Sequence, residues 1–106
     1  MTLDRVASAE EIPAGTMKAV DWNGTRVCLA RVEDGRLFAI SDTCTHEEAS
    51  LSEGEIWKGM VQCPQHGSLF DLATGRVTGL PAENPIQTYK VVETDGDVFI
   101  DSGPRG

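Results

Sequence analysis

Turn-forming residues divide this chain into short segments. Eleven glycines and five prolines fall within 106 residues, a density that interrupts any long helical pattern. Asn23-Gly24 lies between two segments, 17–22 and 26–32, in which apolar and polar residues alternate. An Asn-Gly pair in this setting is the strongest short-range signal for a β-hairpin. The sequence therefore predicts strands joined by tight turns.

Two Asp-Gly pairs predict two more hairpins. The turns are Asp34-Gly35 and Asp95-Gly96, and the strands beside them are 36–40, 86–92 and 98–100. The middle of the chain, 41–85, contains long polar loops and only short strand candidates. These candidates are 56–57, 60–62 and 69–71. We expect an all-β sandwich or barrel with a loop-rich insertion at its middle.

Length and charge limit what this fold can do. A chain of 106 residues allows one domain, 1–106. Nine basic and seventeen acidic residues give a net charge of −8, which repels nucleic acids and anionic lipids. No apolar stretch approaches the roughly 18 residues of a membrane span, and residues 1–5 do not resemble the start of a signal peptide. We expect a soluble, cytoplasmic monomer with no nucleic-acid or membrane partner and with a basic surface as its partner.

Both histidines and two of the three cysteines lie in the loops of the middle segment. Cys44 and His46 form a C-x-H pair, and after sixteen intervening residues Cys63 and His66 form a C-x2-H pair. With an odd number of cysteines and no secretory signal, such clusters bind metal more often than they form disulfides. These four residues are the predicted metal ligands. The third cysteine, Cys28, lies among apolar residues of a predicted strand and is interpreted as a packed side chain.

The order of the ligands distinguishes between metals. A structural zinc site commonly has two cysteines followed by two histidines. This chain alternates them, which suits a two-iron cluster with both thiolates on one iron and both imidazoles on the other. Neutral imidazoles leave less negative charge than four thiolates would, so an electron is accepted more easily. A zinc-binding interaction module and two unrelated Cys/His pairs are the alternatives.

The two loop motifs, 44–46 (C-T-H) and 63–67 (C-P-Q-H-G), resemble the paired motif of Rieske 2Fe–2S proteins. The whole chain is similar to the ferredoxins of bacterial aromatic-ring-hydroxylating dioxygenase systems. The similarity includes segments 10–15, 51–54 and 79–82. It implies a Rieske-type fold of three antiparallel sheets, with a loop-rich cluster-binding subdomain at about 42–83.

The resemblance also implies a cofactor, one Rieske-type 2Fe–2S cluster, and the residues that hold it. Cys44 and Cys63 would bind the inner iron, and His46 and His66 the outer, solvent-near iron. Further residues of the loops would line the cofactor site, and these are Ser68, Gln65, Gly67 and Pro81.

The implied function is electron transfer rather than catalysis. Such a protein passes single electrons from an NAD(P)H-dependent flavoprotein reductase to a terminal aromatic-ring-hydroxylating dioxygenase. One alternative is a Rieske ferredoxin of another oxygenase system. Another is a protein like the small subunit of nitrite reductases, a group that commonly lacks the four ligands present here.

Departures from the high-potential Rieske proteins indicate a lower potential. In the high-potential proteins, two further cysteines form a disulfide between the loops, and this chain has Ala49 and Gln65 at those positions. A tyrosine whose hydroxyl donates to a cysteine sulfur in those proteins corresponds to Phe70 here. Fewer donors to sulfur stabilise the reduced cluster less. Glu47 and Glu48 add negative charge beside His46. We expect a midpoint reduction potential in the lower part of the range of Rieske proteins, roughly −150 to +300 mV.

Two tryptophans and several acids have alternative interpretations. Trp22 is predicted to cover a sheet edge and Trp57 to pack inside, with a role as docking anchors as the alternative. The acids Glu47, Glu48, Glu53 and Glu55 are either a solvated face or a docking surface beside the route of the electron.

Overall fold

A computed structural model describes residues 3–43, 49–64, 67–79 and 85–101 of the chain. Within these ranges the backbone forms strands and two short 3₁₀ turns, Ala9–Glu11 and Leu51–Glu53. The strands are β1 Leu3–Ser8, β2 Thr16–Trp22, β3 Thr25–Arg31, β4 Leu37–Ser41, β5 Glu55–Trp57, β6 Met60–Gln62, β7 Leu69–Asp71, β8 Val77–Gly79, β9 Thr88–Tyr89, β10 Val91–Thr94 and β11 Asp97–Asp101. In the part of the chain that is described, no helix is long and apolar enough to span a membrane.

The strands form three sheets in which every pairing is antiparallel. The strand orders are β1-β11-β10, β2-β3-β4-β9 and β5-β6-β7-β8. The predicted all-β fold of three antiparallel sheets is therefore confirmed. The third sheet, β5–β8, lies within the predicted cluster-binding segment 42–83, whose bounds stay a prediction.

The turns that the sequence indicated join the predicted strands. Asn23 and Gly24 both have positive φ, 50° and 81°, and connect Trp22 to its partner Thr25. Two successive residues at positive φ match the right-handed twist of the flanking strands. Asp95 and Gly96 have the same conformation, with φ of 52° and 80°, between β10 and β11.

The predicted strand 86–92 is wrong as a single element. Thr88 and Tyr89 pair with β4, whereas the residues from Val91 onward pair with β11 in a different sheet. The chain changes sheets at Lys90, whose carbonyl accepts from the amide of Asp101 at 3.0 Å. Apolar alternation continues through such a crossing because both sheets bury a face, so the pattern alone does not reveal it.

Strand β3 is buried on both faces and separates two cores. Val27 and Leu29 are fully buried in one core, which lies between the first and second sheets. Cys28 and Ala30 are fully buried in the other, which joins the second sheet to the third. Successive side chains of a strand point to opposite faces. The central strand thus attaches both the first sheet and the third sheet to one scaffold.

Candidate metal centre

The second loop, which carries the motif 63–67, connects the paired strands β6 and β7. The amide of Cys63 donates to the carbonyl of Ser68 at 2.8 Å, and the amide of Gly67 donates to the carbonyl of Cys63 at 3.1 Å. Gly67 has φ of 76°, a left-handed conformation that favours glycine. These bonds fix the base of the loop where it leaves and rejoins the sheet.

The described residues of this loop place a sulfur inside the protein. Cys63 is 2% exposed and Ser68 is fully buried. Cys63 contributes to the core that joins the second and third sheets. A cleft of about 390 Å³ lies beside it, lined by Glu53, Gly54, Glu55, Gln62, Cys63, Pro64 and Gly67. A soft sulfur ligand is therefore available at the floor of the loop, largely removed from water.

The two ends of the first loop are held together. Thr43 and Ser50 form an isolated antiparallel bridge, and the carbonyl of Asp42 accepts from the amide of Leu51 at 2.6 Å. Ala49 is 8% exposed and packs in the same core as Cys63. The described residues on the two sides of positions 44–48 thus lie next to each other on the scaffold.

At Gly54, the backbone that follows the first loop contacts the backbone that leads into the second loop. A Cβ at this position would collide with the backbone carbonyl of Gln62, the residue before Cys63. Glu55, the next residue, pairs with Gln62 as the first rung of the β5–β6 hairpin. Only glycine allows this approach of two backbones. The Leu-Ser-Glu-Gly segment 51–54 therefore sets the distance between the loops.

Sequence reasoning missed Asp42, a fully buried carboxylate at the base of the first loop. Its Oδ1 accepts from the amide of Ser52 at 2.8 Å, and its Oδ2 accepts from Nε of Arg26 at 3.0 Å. An acidic residue directly after the apolar strand β4, two positions before a predicted ligand, was the signal available in the sequence.

The remaining cysteine, Cys28, has the packed environment that the sequence predicted. It is fully buried on β3. Burial raises the pKa of the Cys28 thiol well above its ordinary value, and the carboxylate of Asp42 adds to this increase. A thiol held in its neutral form is a poor nucleophile and a poor metal ligand.

The predicted site residues divide into two groups. Cys63, Gly67 and Ser68 lie together at the second loop, as described above. The others lie outside the described residues, and these are Cys44, His46, Gln65, His66 and Pro81. Among residues 3–43, 49–64, 67–79 and 85–101, no three His, Cys, Asp or Glu side chains form a group that could hold a metal ion.

The prediction for Trp57 is wrong, whereas Trp22 packs as expected. Trp57 is 52% exposed, with the ammonium of Lys58 4.9 Å from its ring centroid. It precedes the turn of the β5–β6 hairpin, at the opposite end from Cys63. Trp22 contacts Tyr89 edge-on at 5.5 Å between ring centroids and donates from Nε1 to Asp4 at 2.9 Å.

Comparison with known proteins identifies the family. The model of the Rieske [2Fe-2S] domain matches residues 3–90 of this chain. The chain belongs to the Rieske [2Fe-2S] family. The fold of three antiparallel sheets agrees with this assignment.

Relatives of this Rieske domain extend over most of the chain. It is 40% identical over 96 residues to the 3-phenylpropionate/cinnamic acid dioxygenase ferredoxin subunit of Photorhabdus laumondii, covering 90% of each chain. The Sphingomonas yanoikuyae B1 ferredoxin is 33% identical, with a TM-score of 0.89 over 96% of this chain and 100% of that one. A third structure is the complex of reduced oxygenase and oxidised ferredoxin in carbazole 1,9a-dioxygenase. It matches with 32% identity and a TM-score of 0.87 over 97% of this chain and 95% of that one.

The cofactor of this Rieske domain is one 2Fe–2S cluster, and the described residues fit it. Cys63 offers a buried soft ligand at the floor of a loop, and the base of the other loop lies alongside through Gly54. When bound, the cluster supplies a centre that takes up and releases one electron. Cys63 would hold that centre from the floor of the second loop, where its burial would limit contact with water.

Proposed function

We propose that this protein carries single electrons from an NAD(P)H-dependent flavoprotein reductase to the terminal oxygenase of an aromatic-ring-hydroxylating dioxygenase system. The similarity to dioxygenase ferredoxin subunits over about nine-tenths of both chains is the observation that carries the proposal. Activation of oxygen and attack on the ring belong to the oxygenase, so this chain is a carrier rather than an enzyme. We also propose that it works as a monomer in the cytoplasm.

The proposed ligands are Cys44 and Cys63 for one iron and His46 and His66 for the other. The burial of Cys63 supports its role, because the thiolate iron needs protection from water. The joined ends of the first loop support the pair Cys44 and His46, because the residues that flank this segment, Thr43 and Ser50, are bridged to each other on the scaffold.

The other cofactor-lining residues are proposed to tune and shield the cluster. Ser68 is fully buried at the loop base, where a hydroxyl that donates to sulfur would favour the reduced state. Gly67 allows the left-handed turn that closes the loop. Gln65 and Pro81 complete the proposed lining.

The proposed docking surface is acidic. Glu53 and Glu55 are exposed and line the cleft beside Cys63, in a chain of net charge −8. Complementary charge accelerates encounter with a basic partner, and a small interface allows the fast release that a shuttle needs. Docking at this face brings the partner to the loop end of the protein.

Stepwise reduction and oxidation test this function. The purified protein, with a flavoprotein ferredoxin reductase and NADH, should develop the EPR signal of a reduced Rieske cluster with coupling to two histidine nitrogens. Addition of an oxidised aromatic-ring dioxygenase should remove that signal at a rate that falls with ionic strength. A protein that the reductase leaves oxidised, or that contains zinc in place of iron and sulfide, would contradict the proposal.

A further inference from the structure

Asp42 carries a charge in a position where charges are costly. Its carboxylate is fully buried, and burial of an ionised group destabilises a protein unless its partners compensate. Two partners do so, the amide of Ser52 and the guanidinium of Arg26. Asp42 lies directly before the bridge residue Thr43, at the base of the first loop.

Asp42 joins both sides of the first loop through its side chain and its backbone. Oδ1 accepts from the amide of Ser52 at 2.8 Å, and the backbone carbonyl accepts from Leu51 at 2.6 Å. The bridge from Thr43 to Ser50 continues the same contact. Three consecutive residues after the loop, 50–52, are thus attached to two consecutive residues before it.

Asp42 also anchors this junction to the central sheet. Its amide donates to the carbonyl of Arg26 at 3.1 Å, and Nε of Arg26 donates to Oδ2 at 3.0 Å. The Arg26 side chain is 59% exposed, so solvent screens this ion pair and reduces its contribution. The bond to Ser52 is the stronger constraint, because a buried carboxylate meets a backbone amide whose position is fixed, rather than an exposed side chain.

We propose that Asp42 is a positioning residue for the cluster, which holds the ends of the first loop so that Cys44 and His46 are presented to the iron atoms. The inference rests on the proposed ligand set. The Oδ1 oxygen of Asp42 that accepts from the Ser52 amide, rather than the negative charge, performs this role. Holding both ends of a loop in advance lowers the entropy lost when its ligands bind.

Two substitutions separate the acceptor from the charge. Asp42→Asn keeps an oxygen that accepts from the Ser52 amide and removes the charge. The new side-chain NH₂ faces the donor Nε of Arg26, whose exposed side chain can move away. Asp42→Ala removes both. Asp101→Ala is the matched control, because Asp101 is also a buried carboxylate, 8% exposed and 3.8 Å from Lys90, but lies on β11 in the first sheet.

The test uses cluster-loaded protein and measures the loss of visible absorption in excess iron chelator. We expect Asp42→Ala to lose its cluster about tenfold faster than the native chain, equivalent to about 1.4 kcal/mol. Asp42→Asn should remain within about threefold of the native rate, the range expected when the hydrogen bond persists. Asp101→Ala should leave the rate unchanged. The EPR g-values should shift in Asp42→Ala and remain native in Asp42→Asn and Asp101→Ala.

Several results would overturn this role. Native cluster loss and native g-values in Asp42→Ala would do so, as would equal acceleration by Asp101→Ala, which would indicate general destabilisation. If Asp42→Ala yields no folded protein, amide hydrogen exchange of the cluster-loaded native chain and of Asp42→Asn replaces it as the test. The Ser52 amide should be protected from exchange in both, and an unprotected Ser52 amide would overturn the role. Iron and sulfide analysis of the native chain and of Cys44→Ser tests the ligand set separately.

Discussion

The α-carbon of Gly54 lies so close to the carbonyl oxygen of Gln62 that no side chain fits between them. Gly54 ends the segment that returns from the first loop, and Gln62 precedes Cys63 on the second. This contact joins the bases of the two loops through backbone atoms alone. The spacing of the loops therefore depends on the absence of one methyl group.

Gly54→Ala should destabilise the fold and weaken cluster binding together. The added methyl group must displace the backbone of β6, which we expect to cost about 2 kcal/mol or more. Urea unfolding and the rate of cluster release measure the two effects. Gly24→Ala is the control, since its strained φ of 81° costs about 1 kcal/mol but its Cβ meets open space. Equal effects of the two variants on cluster release would contradict the proposed role of Gly54.

Cys63→Ser should abolish cluster binding, whereas Cys28→Ala should retain it. Cys63 lies at the floor of the second loop, and Cys28 lies within the core with a raised pKa. Loss of a small buried side chain at position 28 should cost about 1–2 kcal/mol of stability. Iron and acid-labile sulfide analysis should give about two of each per chain for Cys28→Ala. Loss of iron from Cys28→Ala with full iron in Cys63→Ser would reverse the assignment.

His66→Cys should retain iron and lower the midpoint potential. A thiolate in place of a neutral imidazole adds negative charge to the centre, which disfavours the reduced state. Four-cysteine plant-type clusters lie near about −400 mV, below the Rieske range, so we expect a decrease of more than about 100 mV. Protein-film voltammetry measures it, with the native chain as reference. An increase in potential would refute the charge argument.

Glu53→Gln and Glu55→Gln should each slow electron transfer to a basic partner. Both acids are exposed at the cleft beside Cys63, so each would contribute to attraction at the proposed docking face. We expect about a twofold decrease in the second-order rate constant at low ionic strength, and convergence of all rates in high salt. Stopped-flow oxidation by the dioxygenase measures this effect. Glu10→Gln removes the same charge from an exposed site on the Ala9–Glu11 turn and should not change the rate. An equal decrease in this control would indicate a nonspecific effect of net charge.

The strand pattern was predictable where local chemistry determines it. Asn23-Gly24 and Asp95-Gly96 adopt the left-handed turn conformations that their residue types favour, and the strands beside them pair as predicted. The division of 86–92 between two sheets was not predictable, because each half alternates in the same way. Trp57 was misassigned for a related reason, since a three-residue strand does not indicate which of its faces is covered.

The sequence by itself predicted the chemistry of the centre, because two thiols and two imidazoles in alternating order favour a two-iron cluster over a structural zinc site. The tertiary structure decided how the loops meet. Gly54 against Gln62 and Asp42 against Ser52 are contacts between residues that are eight and ten positions apart, on opposite sides of a turn or loop. In the sequence Gly54 resembles an ordinary turn residue, and only the position of Asp42, directly after an apolar strand and two residues before a predicted ligand, distinguishes it from a surface residue. Their roles arise only when folding brings two backbones into contact and removes a carboxylate from water.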